Sequence, residues 1–153
     1  MRKIVFLLAV FTSLLCEAQP QINRLAQFNL TEKLALQGYD PVAYFKGKAK
    51  MGKETLAVSY MGVTYYFSSA ANKATFSQNA TAYEPQYGGW CAYAMGTKGE
   101  KVPIDPETFK IVNGKLYLFY NALFNNTLKA WNKDEVGLKQ AADQNWSKIQ
   151  KLN

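Results

Sequence analysis

The sequence contains no histidine. That absence excludes Ser-His-Asp and Cys-His catalysis, and it excludes zinc or haem held by imidazole. Cysteine is also scarce: Cys16 and Cys91 are the two in the chain, so no disulfide framework is expected. No phosphate-binding loop or dinucleotide fingerprint occurs, since residues 96–99 (GTKG) are typical only of a loop. Enzymes that depend on histidine or on these nucleotide-binding motifs are therefore not expected.

Charged residues are few as well, at 19% of the chain, whereas hydrophobic residues make up 48%. A chain of 153 residues with this balance can bury one core, which predicts a single globular domain rather than disorder. The net charge is +7, but the lysines are scattered without a dense basic cluster. We therefore expect a diffuse basic surface and no nucleic-acid partner.

The N-terminal residues have the order of an export signal. Arg2 and Lys3 precede an apolar run over residues 4–15, and the small residue Ala18 follows. The run is too short to span a membrane comfortably, which predicts a signal peptide over residues 1–18, cleaved after Ala18. No later run replaces it, so we expect a periplasmic or secreted protein without a transmembrane segment. A lipoprotein attached through Cys16 is the less favoured alternative, because Leu15 is large for the residue before a lipidated cysteine.

The mature chain is predicted to begin with a polar lead-in over residues 19–33, followed by one domain over residues 34–153. Alternating residues predict two hairpins with glycine turns, at Met61-Gly62 and Asn113-Gly114. A turn at Asp40-Pro41 is expected to precede a short strand. Helical spacing predicts three helices. The first is capped by Ser68 or Ser69 and runs to about Asn79, and the other two cover residues 121–136 and 138–152, separated by Gly137.

These elements predict an α+β fold. We expect a small antiparallel sheet of hairpins with helices packed on it, and a C-terminal helical pair.

One stretch, residues 83–99 (YEPQYGGWCAYAMGTKG), combines four glycines with a tryptophan and three tyrosines. That density implies backbone passing close to ring faces, so we take the stretch as the candidate site. Aromatic side chains here and in nearby loops are predicted to line a pocket for a small apolar or planar ligand. The alternative is that they fill the core of the domain. The candidate ligand-binding residues are Tyr39, Tyr44, Tyr87, Trp90, Cys91 and Tyr93.

Three other chemistries stay open at this stage. Cys91 and Met95 lie four residues apart, so on a helix they offer Cu(I) a thiolate and a thioether, although both residue types also fill cores. A thiol-dependent enzyme using Cys91 is the weakest reading, because no histidine is present to activate it. Asp40 and Asp105 are a conceivable carboxylate pair, but each precedes proline and is more typical of a turn.

The chain also resembles a known family. Residues 40–45 (DPVAYF), residues 60–76 (YMGVTYYFSSAANKATF) and Tyr83 resemble the YHS domain. The stretches PQYGGWCAYAMGTKG and DPETFKIVNGKLYLFYN, with Ala-Asp-x-x-Trp at residues 142–146, resemble the longer exported YHS-domain proteins of bacteria. The resemblance covers roughly residues 34–146. It implies no settled activity.

The departures from the family pattern bear on metal binding. The resemblance implies that metal-associated members carry cysteines where this chain has Ala43, Ser68 and Asn72, and a histidine where it has Tyr66. None of these four side chains replaces a thiolate or an imidazole on a soft metal. We therefore expect a binding or accessory module rather than an enzyme. Its partner would be a small ligand or a periplasmic protein, and no cofactor is expected. Copper bound by Cys91 and Met95 is the alternative.

Overall fold

The computed structural model describes residues 24–151, and the predicted signal segment with Cys16 lies outside them. The described part of the chain contains seven α-helices, bounded as α1 Arg24–Gln27, α2 Pro41–Tyr44, α3 Ala70–Gln78, α4 Ala80–Tyr83, α5 Ala92–Lys98, α6 Thr127–Trp131 and α7 Glu135–Lys151. It contains eight strands, bounded as β1 Leu30–Thr31, β2 Leu34–Ala35, β3 Lys53–Tyr60, β4 Val63–Phe67, β5 Asp105–Val112, β6 Lys115–Phe119, β7 Asn121–Ala122 and β8 Asn125–Asn126. Two 3-10 turns cover Leu36–Gly38 and Gln86–Gly89.

The strands form hairpins, as the sequence predicts. The largest sheet has the order β1-β2-β4-β3, with antiparallel pairs β1–β2 and β3–β4 and one parallel contact between Leu34 and Thr64. β5 pairs with β6 and β7 with β8, both antiparallel. With α6 and α7 at the C-terminal end, the predicted α+β class is confirmed.

Strand β6 lies between two clusters of buried side chains. Leu116 and Leu118 face the first cluster, which contains β4 and Phe76 of α3, while Tyr117 and Phe119 face the second. Alternation along a strand sends neighbouring side chains to opposite faces, and both faces of β6 are covered. The second cluster joins β6 to Trp131, to Met95 and to α7.

The strand predicted after Asp40-Pro41 is wrong, because these residues form helix α2. The Asp40 side chain accepts hydrogen bonds from the backbone amides of Val42 at 2.9 Å and Ala43 at 3.2 Å, and Pro41 occupies the first helical position. Asp before Pro fits both a turn and a helix start. The helix prevails here because its residues are buried against the core.

The helix predicted over residues 121–136 is also wrong in its first half. That half is the β7–β8 hairpin, and helix α6 begins only at Thr127, where the Asn126 side chain accepts from the Leu128 amide at 3.1 Å. Gly137 does not separate the helices either. It lies in the first turn of α7, where its amide donates to Asp134 Oδ1 at 3.1 Å.

The other predicted turns and caps are confirmed. Met61 and Gly62 have φ of 49° and 82°, and Asn113 and Gly114 have φ of 50° and 69°, the positive values that a tight hairpin turn requires. Ser69 caps α3 by accepting from the Asn72 amide at 3.1 Å. No helix within residues 24–151 is long and apolar enough to cross a membrane.

Candidate functional site

The glycine-rich stretch does bring backbone against an aromatic ring. Gly88 has φ of 61°, and a Cβ there would lie 2.9 Å from the Gln27 carbonyl oxygen and 3.1 Å from Trp146 Cη2. Its carbonyl accepts from the Asn29 amide at 2.8 Å, while Trp90 Nε1 donates to the Gln27 carbonyl at 2.6 Å. Part of the predicted lead-in is therefore packed against the domain.

A cleft of about 280 Å³ opens where these segments meet. Its walls come from the N-terminal segment, from the chain between α4 and the second 3-10 turn, and from α7. Helix α7 presents Asp143, Trp146 and Gln150 at spacings of three and four residues, which places them on one face. The lining residues are Arg24, Phe28, Thr81, Glu84, Pro85, Gln86, Tyr87, Gly88, Asp143, Trp146 and Gln150.

One wall of the cleft carries a largely buried ion pair between Arg24 and Glu84. Glu84 also accepts a hydrogen bond from the Tyr65 hydroxyl at 2.5 Å. The Arg24 guanidinium lies 4.3 Å from the centre of the Phe28 ring, within cation–π range. Its Nε is buried and donates to no acceptor among the described residues.

The wall formed by α7 carries a third charged group, Asp143. It accepts a hydrogen bond from the Tyr87 hydroxyl at 2.9 Å and pairs with Lys139 at 2.6 Å. Burial, with the bond to Asp143, raises the pKa of Tyr87, so this hydroxyl stays a donor. The same carboxylate raises the pKa of Lys139 through its hydrogen bond. The cleft thus combines aromatic faces with fixed charges of both signs.

Most of the predicted aromatic residues do not line this cleft. Of the tyrosines and the tryptophan predicted to bind a ligand, Tyr87 lines the cleft. Tyr39 and Tyr44 lie near β5 instead, donating to Glu107 Oε1 at 3.0 Å and to the Pro106 carbonyl at 2.8 Å. Burial raises the pKa of Tyr44, as expected of a core residue. Trp90 and Tyr93 are half-buried and pack against the second core cluster.

Residues 84–88 of the cleft lie in the candidate stretch, but its other walls escaped prediction. Arg24 and Phe28 belong to the segment taken as a lead-in, and Trp146 belongs to the last predicted helix. The available signal was the Ala-Asp-x-x-Trp pattern, which puts Asp143 and Trp146 on adjacent turns of one helix.

Cys91 and Met95 are both fully buried. The Cys91 sulfur accepts from the Tyr120 amide at 3.3 Å and lies 3.5 Å from Thr127 Oγ1. Cys91 belongs to the first core cluster and Met95 to the second. Within residues 24–151 no group of three or more His, Cys, Asp or Glu side chains could hold a metal ion. These positions favour packing roles for both residues.

Asp40 sits at the centre of a saturated hydrogen-bond network. Besides the two amides of α2, its carboxylate accepts from Ser68 N at 2.8 Å, Ser68 Oγ at 2.7 Å and Asn72 Nδ2 at 2.7 Å. Ala43, Ser68 and Asn72, the positions that the resemblance assigns to cysteine in metal-associated proteins, thus all contact one carboxylate. The Asp40 oxygens therefore link α2 to α3 through hydrogen bonds.

Asp105 lies at the start of β5 and has local partners of its own. Its carboxylate accepts from the Glu107 amide at 3.0 Å and from Thr108 Oγ1 at 2.7 Å. Both aspartates of the conceivable catalytic pair therefore have structural partners, as their positions before proline suggest.

Comparison with protein-family models, with curated proteins and with solved structures finds no match for this chain. Function must accordingly be inferred from the chain's own residues.

Proposed function

We propose that this protein is an exported YHS-type binding module rather than an enzyme, and that it binds a small ligand in the cleft between the N-terminal segment and α7. The observation that carries the proposal is the meeting of Phe28, Tyr87 and Trp146 with the charged groups of Arg24, Glu84 and Asp143. Binding sites commonly combine aromatic walls with a few fixed polar groups.

The size and polarity of the cleft restrict the ligand. At about 280 Å³ the cleft lies just below the roughly 300–1,000 Å³ that holds drug-sized molecules, so a small metabolite is expected. A metabolite with a planar or apolar body fits these walls. The charged groups of Arg24 and Asp143 would orient a polar group on such a ligand.

The alternatives built on Cys91 receive less support. A copper site or a nucleophilic thiol needs an approach to the sulfur, and Cys91 is fully buried with its sulfur against Tyr120 and Thr127. Copper bound by Cys91 and Met95 would require the two core clusters to open. The cleft requires no rearrangement.

The direct test is native mass spectrometry of the protein isolated from its own host, followed by titration of the ligand that is found. Gln150→Trp places a bulky side chain at the exposed end of the cleft and should weaken binding at least tenfold. Gln144→Trp is the matched control, since Gln144 is exposed on the same helix but does not line the cleft. Equal affinity of both variants would contradict the proposed site.

A second measurement tests the compartment. We expect the mature protein to begin at or near Gln19, to carry no lipid and to fractionate with the periplasm or the medium. N-terminal sequencing and intact mass of the isolated protein check this. A diacylated Cys16 would instead make the protein a lipoprotein.

A further inference from the structure

The β7–β8 hairpin carries the two most exposed large apolar side chains of the described residues. Leu123 is 88% exposed and Phe124 is 110% exposed, more than a residue in an extended reference peptide. They form the two-residue turn between Asn121–Ala122 and Asn125–Asn126. An exposed pair of this kind contributes nothing to the core.

The backbone conformation of this turn is unfavourable for large side chains such as leucine and phenylalanine. Leu123 and Phe124 have φ of 50° and 64°, in the left-handed region that large side chains rarely adopt. Asn-Gly is the pair that such a turn prefers, and Asn113-Gly114 occupies the equivalent place in the β5–β6 hairpin. Residues that break a local rule without contributing to packing are expected at functional positions.

The base of the hairpin is firmly attached to the domain. Thr127 donates its amide and its Oγ1 to the Tyr120 carbonyl, at 3.0 Å and 2.8 Å. Asn121 Nδ2 donates to Thr108 Oγ1 at 3.0 Å, and the Tyr120 amide donates to the buried Cys91 sulfur at 3.3 Å. The Leu-Phe pair is therefore held away from the core by a packed base.

The chain around the hairpin is basic. Residues 108–133 contain four lysines and no carboxylate; Asp134 and Glu135 follow, and Glu135 pairs with Lys110. Lys129 and Lys133 are exposed shortly after the hairpin. The described residues carry 16 basic and 10 acidic side chains, so their net charge is 16−10=+6. The carboxylate at the hairpin base is Asp105, which already accepts from Glu107, Thr108 and Asn121.

We propose that Leu123 and Phe124 insert into the interface of an anionic lipid bilayer, with Lys129 and Lys133 contributing attraction to the head groups. Interfacial binding depends on buried apolar area together with basic charge, and both occur here. A hairpin tip of two side chains offers far less area than the roughly 1,200 Å² that a specific protein interface usually buries. A bilayer requires no matching pocket, and a second copy of this chain would bring the same net positive charge.

Flotation with lipid vesicles tests the proposal on the protein as isolated. We expect binding to vesicles of phosphatidylethanolamine and phosphatidylglycerol at 3:1, weakening as salt rises, and much weaker binding to phosphatidylcholine. Leu123→Ser with Phe124→Ser should lower the partition coefficient at least tenfold, and Lys129→Glu with Lys133→Glu should lower it about tenfold. Phe124→Trp adds a reporter whose emission should shift to the blue when vesicles are added.

Met61→Ser is the matched control, because Met61 is 65% exposed at positive φ on the β3–β4 turn. It should bind vesicles like the unmodified protein. Equal binding by the Leu123→Ser, Phe124→Ser variant would overturn the proposal, as would equal binding to phosphatidylcholine. Absence of vesicle binding would overturn it in favour of a protein partner. Dimerisation in sedimentation that this double variant abolishes would overturn it in favour of a second copy.

Discussion

The dipeptide Leu-Phe occurs twice within seven residues of this chain, buried in one case and exposed in the other. Leu118 and Phe119 of β6 are almost completely buried, whereas Leu123 and Phe124 protrude at the tip of the β7–β8 hairpin. Hydrophobicity is identical in the two pairs, so it does not decide burial. The backbone decides: β6 lies between two core clusters, while the next hairpin turns away from both.

The exposed pair can also be compared with Asn113-Gly114. Both pairs occupy two-residue turns with positive φ. Asn-Gly suits that conformation and has a local structural explanation. Leu-Phe neither suits the turn nor packs, so we relate it to contact with something outside the chain.

The largest expected effect separates the two Leu-Phe pairs. Phe119→Ala should lower the free energy of unfolding by about 3–5 kcal/mol, because it leaves a cavity beside Trp131 in the second cluster. Phe124→Ala should change it by less than about 0.5 kcal/mol, since the side chain is fully exposed. Urea denaturation of the two variants measures both. Similar losses would mean that Phe124 is part of the core.

The next prediction concerns the attachment of the exposed hairpin. Cys91→Ala should cost about 2–4 kcal/mol, because it leaves a small cavity and deprives the half-buried Tyr120 amide of its acceptor. Cys91→Ser keeps an acceptor and should cost less. A thiol reagent should label Cys91 only when the protein unfolds. Rapid labelling of the folded protein, blocked by Cu(I), would favour the copper alternative.

A smaller effect is expected at the Asn113-Gly114 turn. Gly114→Val should cost about 1–3 kcal/mol, the range for a residue held in a strained conformation. A Cβ at Gly114 would have no neighbour within 4 Å, so the cost comes from the backbone alone. Gly114→Asn is the control, because asparagine tolerates positive φ, and it should lie close to the parent in thermal melts. An unchanged melting temperature for Gly114→Val would remove strain as the explanation.

The sequence predicted the fold where local and tertiary preferences agree. The turn at Asn113-Gly114 and the Ser69 cap of α3 each have a strong local signal that packing does not oppose. Asp40-Pro41 is different, because one sequence signal fits two structures and only burial of α2 selects the helix. Residues 121–126 were missed because Leu123-Phe124 gives no turn signal.

The cleft could not be predicted in the same way. It unites Arg24, Glu84 and Asp143, which are separated by about 60 residues at each step. Tyr87 was found because glycine and aromatic density marks its stretch. Its partners across the cleft depend on how α7 packs, which no local pattern encodes.

Exchanging one turn sequence for the other tests most directly whether Leu123 and Phe124 contribute to the stability of the fold. Leu123→Asn with Phe124→Gly gives the exposed turn the residues that its backbone prefers. We predict a melting temperature above that of the parent, corresponding to a gain of about 0.5–1 kcal/mol, because strain is relieved and no packing is lost. A clear loss of stability would contradict it, since Leu123 and Phe124 would then be serving the fold.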